Sequence, residues 1–279
     1  MEPRTRSFYF LACFFGLFLI FLYGPTITIG ILSFKGEMGG LTFPMQGVSL
    51  HWFFDLFEEQ AVGDIWGSFR RSITLGFMVM VTTIVVSVMG GLAFRKKFPG
   101  STILFYLIVT ALVIPSILIS LGVGLMFSQT GFEVHWSTSG FGSQLTWTLP
   151  FGLLIMFAVF NRFDKSYEEA ARDQGATPWQ TIRFVVLPII APSLIGVALF
   201  GFTLSYDEFA RTLLTAGSNN TLPLEIYGMT TNVTSPVLYA LGTLTTVFSL
   251  IIISIFLLVA LRIAKTKARA GSDAGKGLL

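Results

Sequence analysis

What most constrains this chain is a set of six long apolar runs, at residues 8–34, 72–94, 102–127, 145–161, 191–215 and 236–261. A bilayer's hydrocarbon core of about 30 Å takes about 20 helical residues, so each run counts as one membrane span. Lipid offers the backbone no hydrogen-bond partners, so each run must satisfy its own N–H and C=O groups as a helix. The expected fold class is therefore all-α, a single transmembrane domain of six helices over residues 1–279. The fourth run is short and must borrow residues from the loop before it. The first follows Arg4 and Arg6 as a signal peptide would. It is nevertheless longer than an h-region of about 7 to 15 residues, and no small-residue cleavage site follows, so it is expected to stay in the membrane. With 53% hydrophobic and 12% charged residues, an ordinary soluble domain is excluded.

Orientation follows from the basic residues, which are retained on the cytoplasmic side of short loops. Placing both termini inside keeps 14 of the 18 Lys and Arg in the cytoplasm; the exceptions are Lys35, Arg70, Arg71 and Arg211. Acidic residues then collect outside, among them Glu37, Asp55, Glu58, Glu59, Asp64, Glu133 and Glu225, and would steer cations weakly. Within the outer segment 35–71, Trp52, Phe53, Leu56 and Phe57 alternate with Asp55, Glu58 and Glu59 at helical spacing. This predicts an amphipathic helix at the interface, either a simple anchor or a docking surface for an external protein.

Several chemistries find no support. The lone Cys13 has no disulfide partner. His51 and His135 stand apart from other ligand types, so no metal site is expected. No phosphate-binding loop of the Gly-x-x-x-x-Gly-Lys-[Ser/Thr] kind occurs, so ATP hydrolysis would have to come from another chain. The basic, glycine-containing tail 265–279 is expected to be disordered.

Between the fourth and fifth runs lies a polar stretch, 162–190, too hydrophilic to cross lipid. Glu168, Glu169, Ala170 and Ala171 suit the first turns of a helix, where acidic side chains meet the positive end of its dipole. Gly175 interrupts it, and Thr177 followed by Pro178 reads as an N-cap with proline in the first position. The pattern predicts two short helices joined by a glycine bend. By pattern alone this is either a solvated loop or a knob presented to an aqueous partner.

The order Glu169-Ala170-Ala171, Gly175, then Val185-Val186-Leu187-Pro188 closely resembles the EAA signature of permease subunits of bacterial ABC importers. The one departure is Val185, where that family usually has isoleucine. The resemblance implies the type I importer permease fold, an N-terminal helix plus a five-helix core, in the bacterial inner membrane. It also implies that Glu168, Glu169, Ala170, Ala171, Gly175, Leu187 and Pro188 form a coupling helix docked on a cytoplasmic ATPase dimer. ATP and Mg would be bound by that ATPase and no cofactor by this chain. The other implied partners are a second permease subunit, related but non-identical, a periplasmic substrate-binding protein and the lipid bilayer, with no nucleic acid.

Two features interrupt the spans. Pro115 falls in the middle of the third run, where it removes a backbone hydrogen bond and kinks or opens the helix. With Ser116, Gly122 and Gly124 after it, the break either lines a pathway or serves close packing. The fifth run carries Tyr206, Asp207, Glu208 and Arg211. Intramembrane acids are expensive and usually face a bundle interior or a water-filled cavity. Asp207 and Arg211, four apart, could instead neutralise each other along one helix.

Residues 204–208, 221–229 and Ser235-Pro236 look like the corresponding parts of the spermidine/putrescine permease subfamily. That resemblance implies a cation path at Tyr206, Asp207 and Glu208, with Pro115 and Ser116 beside it. Several of those relatives have an acid where this chain has Ser116, which leaves another amine, an amino-acid-like compound or an opine open as cargo. The function expected is import by alternating access, without covalent chemistry. An ion-coupled secondary transporter using Asp207 and Glu208 as a relay is the distant alternative.

Overall fold

The structure, a computed structural model, describes residues 5–38, 42–58, 63–96, 98–232 and 235–276. Among the described residues eleven α-helices follow one another: α1 Arg6–Leu32, α2 His51–Asp55, α3 Ile65–Phe94, α4 Ser101–Ala111, α5 Ser116–Gln129, α6 Phe141–Asn161, α7 Ser166–Asp173, α8 Pro178–Thr181, α9 Leu187–Tyr206, α10 Leu222–Asn232 and α11 Val237–Lys276. Wider π-helical turns at Trp136–Gly140 and Ile182–Val186 lead into α6 and α9. Among the described residues five helices are long and apolar enough to cross a membrane, or six if α4 and α5 form one bent span.

The six expected runs are all present as helix, with shifted edges. The second begins at Ile65, so Arg70 and Arg71 lie within it. The fourth gains its missing residues from Trp136–Gly140. The third is not a kinked helix but two helices at 107°. Pro115 cannot donate to a helix and disfavours the helical conformation in the residue before it, so α4 ends at Ala111 and α5 starts afresh. The fifth span stops at Tyr206 rather than 215. There the side chains compete with the backbone: Glu208 Oε1 accepts the Arg211 N–H at 3.0 Å, and Thr212 and Thr215 hydroxyls donate to the carbonyls of Glu208 and Arg211. The tail expected to be disordered continues α11 as helix to Lys276, an apolar helix simply propagating into residues of adequate helix propensity. Residues 277–279 lie outside the described residues, as do Glu59, Lys97 and Arg4.

The chain divides into two compact units, residues 1–64 with 226–250 and residues 65–225 with 251–279. In the first, α1 is apolar all round and its membrane-length window is wholly unburied, as a lipid-facing helix is. The predicted interfacial helix is only α2, five residues long. Its Trp52 Nε1 donates to Lys35 O at 2.9 Å, Phe53 packs on Phe34, and Leu56 is buried, while Phe57 falls beyond the helix and is exposed. The second unit is built on α3, which packs along both α6 and α9. Small residues permit that approach: a Cβ at Gly201 would sit 3.1 Å from the Met80 backbone. Met156, Phe160, Val186, Ile190 and Val197 form its core near the polar loop.

Candidate functional site

The loop after α6 is shaped by local hydrogen bonds. Asp164 Oδ1 accepts the Ser166 N–H at 2.9 Å and starts α7. That bond favours the ionised carboxylate and holds Asp164 below the usual aspartate range, so this turn persists at neutral pH and is lost as acid protonates it. At the other end of α7 the Gly175 N–H reaches Arg172 O at 2.8 Å and the Ala176 N–H reaches Ala171 O at 3.0 Å, with Gly175 at φ +82°. This is a Schellman ending, which requires the left-handed conformation that glycine adopts without strain. One residue later Thr177 and Gln180 exchange hydrogen bonds as a capping box, with Pro178 in the first helical position. The second predicted helix does not stop at the loop, because α8 runs through Ile182–Val186 into α9 as one helix from Pro178 to Tyr206. The widened turn lies just before Pro188, which has no N–H to offer the Phe184 carbonyl.

The seven residues expected to couple divide into anchors and an outward face. Glu168 pairs with Arg95, the residue just after α3, both side chains being 13% exposed. Arg95 also lies over the rings of Phe160 and Phe163, at 5.5 and 5.2 Å. Leu187 packs on the core of Met156 and Ile190. Glu169, Ala170, Gly175 and Pro188 face outward, with Ala171 half-buried. Sequence reasoning missed Arg95, since an ion pair between α3 and α7 has no local signature. It also missed Tyr167 and Trp179, exposed by 55% and 64% on the same loop; two large aromatics within a polar stretch were the available signal. A groove of about 310 Å³ runs beside α7, lined by basic Arg95, Lys96, Lys165 and Arg172 and by Glu168 and Glu169.

At the far end of α9 the expected path residues are rearranged. Tyr206 is buried and stacks on Phe202 with centroids 5.8 Å apart. Asp207 caps α9 and is exposed. The helical pair with Arg211 does not form, because the helix ends at Tyr206 with Asp207 as its C-cap, and Arg211 lies in the irregular segment beyond. Arg211 is instead 1% exposed, its guanidinium 5.0 Å from the centre of the Trp147 ring. Its Nε and Nη1 have no protein partner, nor does the indole N–H of Trp147. Residues 207–217 are stitched to the neighbouring helices: Ser143 Oγ donates to Arg211 O, Ser139 Oγ to Thr215 O, and Leu214 N–H to Ser120 Oγ at 2.9 Å. Gly124 lets Leu214 approach α5 and so serves packing, whereas Gly122 faces open space. Pro115 is exposed and Ser116 half-buried at the start of α5. One turn on, Ser120 links that helix to the segment after Asp207. Among the described residues no cluster of His, Cys, Asp and Glu could hold a metal.

A helical membrane domain with a broken span and a rigid polar knob between two spans is the architecture of a transport subunit. The chain belongs to the family of binding-protein-dependent transport system inner membrane components, whose sequence model matches residues 83–265. It is thus a multi-pass permease subunit of an ABC importer and not itself an enzyme. It is 27% identical over 253 residues to the spermidine/putrescine transport system permease protein PotC of Escherichia coli, covering 90% of this chain and 93% of that one. To the putrescine transport system permease protein PotI of Escherichia coli it is 25% identical over 232 residues, 80% of this chain and 81% of the relative. The fold matches, with a TM-score of 0.71 and 17% identity over 92% of this chain and 95% of the other, the crystal structure of a bacterial ABC transporter involved in import of the acidic polysaccharide alginate.

Proposed function

We propose that this permease carries small organic amines, polyamines of the spermidine and putrescine kind first among them, into the cytoplasm by alternating access. Both termini and the α7 loop face the cytoplasm. There Glu169, Ala170, Gly175 and Pro188 meet one subunit of an ATPase dimer that holds ATP and Mg, while Glu168 and Leu187 anchor the knob to α3 and the core. A second, related but non-identical permease completes the path, and a periplasmic substrate-binding protein delivers cargo. Asp207, Glu208 and Tyr206 line this chain's share of the path, with Pro115 and Ser116 beside them.

The observation that carries the coupling role is the build of α7. It starts from the Asp164–Ser166 turn, closes on the Gly175 Schellman ending and is pinned by Arg95, yet leaves an outward acidic and alanine face. Such a knob transmits a push from outside to α3 and α9 without dissipating it in loop motion. The amine reading is supported by the two polyamine permeases among the relatives and by Asp207, an exposed carboxylate not tied up with Arg211. Cysteines at Ala170 and Ala171 should crosslink to the ATPase. Asp207→Asn should leave subunit assembly intact and cut labelled polyamine uptake at least tenfold, since charge interactions strengthen as the dielectric falls. Full uptake by that variant would remove Asp207 from the path, and absence of crosslinks would remove α7 as the coupling element.

A further inference from the structure

A further concavity, on the far side of α6 from the α7 loop and adjoining the segment after Asp207, is built by the turn between α5 and α6. α5 ends in another Schellman arrangement: Gly131 takes φ +77°, and the Phe132 N–H reaches back to Phe127 O at 3.1 Å. This ending folds the Phe132 ring against Phe127, with centroids 6.2 Å apart. On the other side His135 caps the turn at Trp136–Gly140, its Nδ1 accepting the Ser137 N–H at 3.3 Å. Behind it Gly217 lies so close that a Cβ would overlap the Val134 carbonyl, which fixes 134 against the strand of chain that supplies Asn219. The result is a cavity of about 380 Å³ lined by Phe127, Phe132, Glu133, His135, Thr138 and Asn219.

Among the described residues its lining holds one carboxylate, Glu133, and one imidazole, His135, with no Lys or Arg. The C-terminal end of α5, the negative end of its dipole, closes at Gln129 beside it. Two aromatic rings add faces that attract cations. The Asn219 and Thr138 oxygens can accept hydrogen bonds from an ammonium group. Because caps at 131 and 135 and the contact at 217 already hold the walls, little ordering cost remains for a ligand.

We propose that this pocket is a binding subsite for the primary ammonium group of a small diffusible amine. α6 separates it from the α7 loop, since that helix starts beside Trp136–Gly140 and ends at Asn161. A subsite there receives an amine before it reaches Asp207, so the assignment to cargo rests on the amine-import reading. A lysine of the docked binding protein would offer the same group and is the source the experiment must separate.

The test uses the complete importer in lipid nanodiscs without its binding protein, and labelled putrescine in equilibrium dialysis. Glu133→Gln and Phe132→Ala should each weaken putrescine binding about tenfold, and Phe132→Trp should retain it. Binding-protein docking, measured by pull-down, should be the same in all variants. The subsite is overturned if Glu133→Gln binds putrescine as the unaltered importer does, or if that importer binds none at millimolar concentration. It is equally overturned if docking falls while putrescine binding does not, which assigns the pocket to a lysine of the binding protein. Uptake separates the two readings: Glu133-dependent binding without any amine uptake keeps the subsite and rejects the import reading. Amine uptake with Glu133-independent binding does the reverse.

Discussion

At the α7 loop, backbone groups find partners three to five residues away, through Gly175 to Arg172, Ala176 to Ala171, and Thr177 with Gln180. After α9, the groups of residues 211–222 are met by side chains 68 to 150 positions distant: Ser143, Ser139, Ser120 and Ser72. The first region is shaped by its own bonds and held by the Arg95 pair, by Leu187 on the core and by α8 running into α9. The second has a few local bonds, from Glu208, Thr212 and Thr215, and is otherwise held by serines of α3, α5 and α6 and of the turn before α6. Under the proposed coupling role, α7 is a lever that would have to keep its form while it moves, which its local bonds would supply. Under the proposed path role, the segment after Asp207 would have to change with the helices around it, and bonds to those helices would make that link direct.

The comparison can be broken at three points. Gly175→Val puts a β-branched residue at φ +82°, at a strain of roughly 1–2 kcal/mol, and turns α8 away from α7. Substrate-stimulated ATP hydrolysis should be lost almost completely, with membrane insertion unchanged; normal coupled hydrolysis would show that the bend is not part of the lever.

Removing the attachment should weaken coupling less. Arg95→Gln leaves the partly buried Glu168 carboxylate with only the solvent-exposed Arg172, 3.8 Å away, as a partner, a cost below the ~3 kcal/mol of a buried charge left wholly unpaired. The ratio of uptake to ATP hydrolysis should fall several-fold. A double change of Arg95 and Glu168 to Gln should recover part of the lost stability while leaving coupling low. Equal coupling in the double variant and the unaltered protein would mean that α7 needs no anchor on α3.

The smallest effect is expected at the other region. A leucine at Gly124 would drive its Cβ to 2.6 Å from the Leu214 carbonyl, an overpacking cost of about 2 kcal/mol. The same change at Gly122 meets nothing within 4 Å. Thermal unfolding in detergent should separate the two variants by several degrees, and uptake should suffer only in the first. Identical melting would show that the 207–217 segment does not depend on α5.

The spans, the α7 helix, the Gly175 bend and the Thr177-Pro178 start were legible in the chain because each is decided by neighbours within a few residues: hydrophobic run length, caps and a left-handed glycine. The resemblance at Glu169 to Pro188 made the permease family legible too, and the family match supports it. The end of the fifth span was not legible. Phe209 to Leu214 is apolar enough to continue a helix, and only the serines and threonines of other helices, with Glu208 turned onto the Arg211 N–H, make the irregular path preferable. In the same way the sequence offered Asp207 and Arg211 as a helical pair, while the folded chain places Arg211 over Trp147, a residue 64 positions earlier. The Arg95–Glu168 pair and the Phe127–Glu133 pocket likewise depend on distant segments. Local sequence determined the helices, their caps and the polar knob. Tertiary structure decided which charges are paired, which are buried and which are left open to a ligand, because those outcomes depend on packing between residues far apart in the chain.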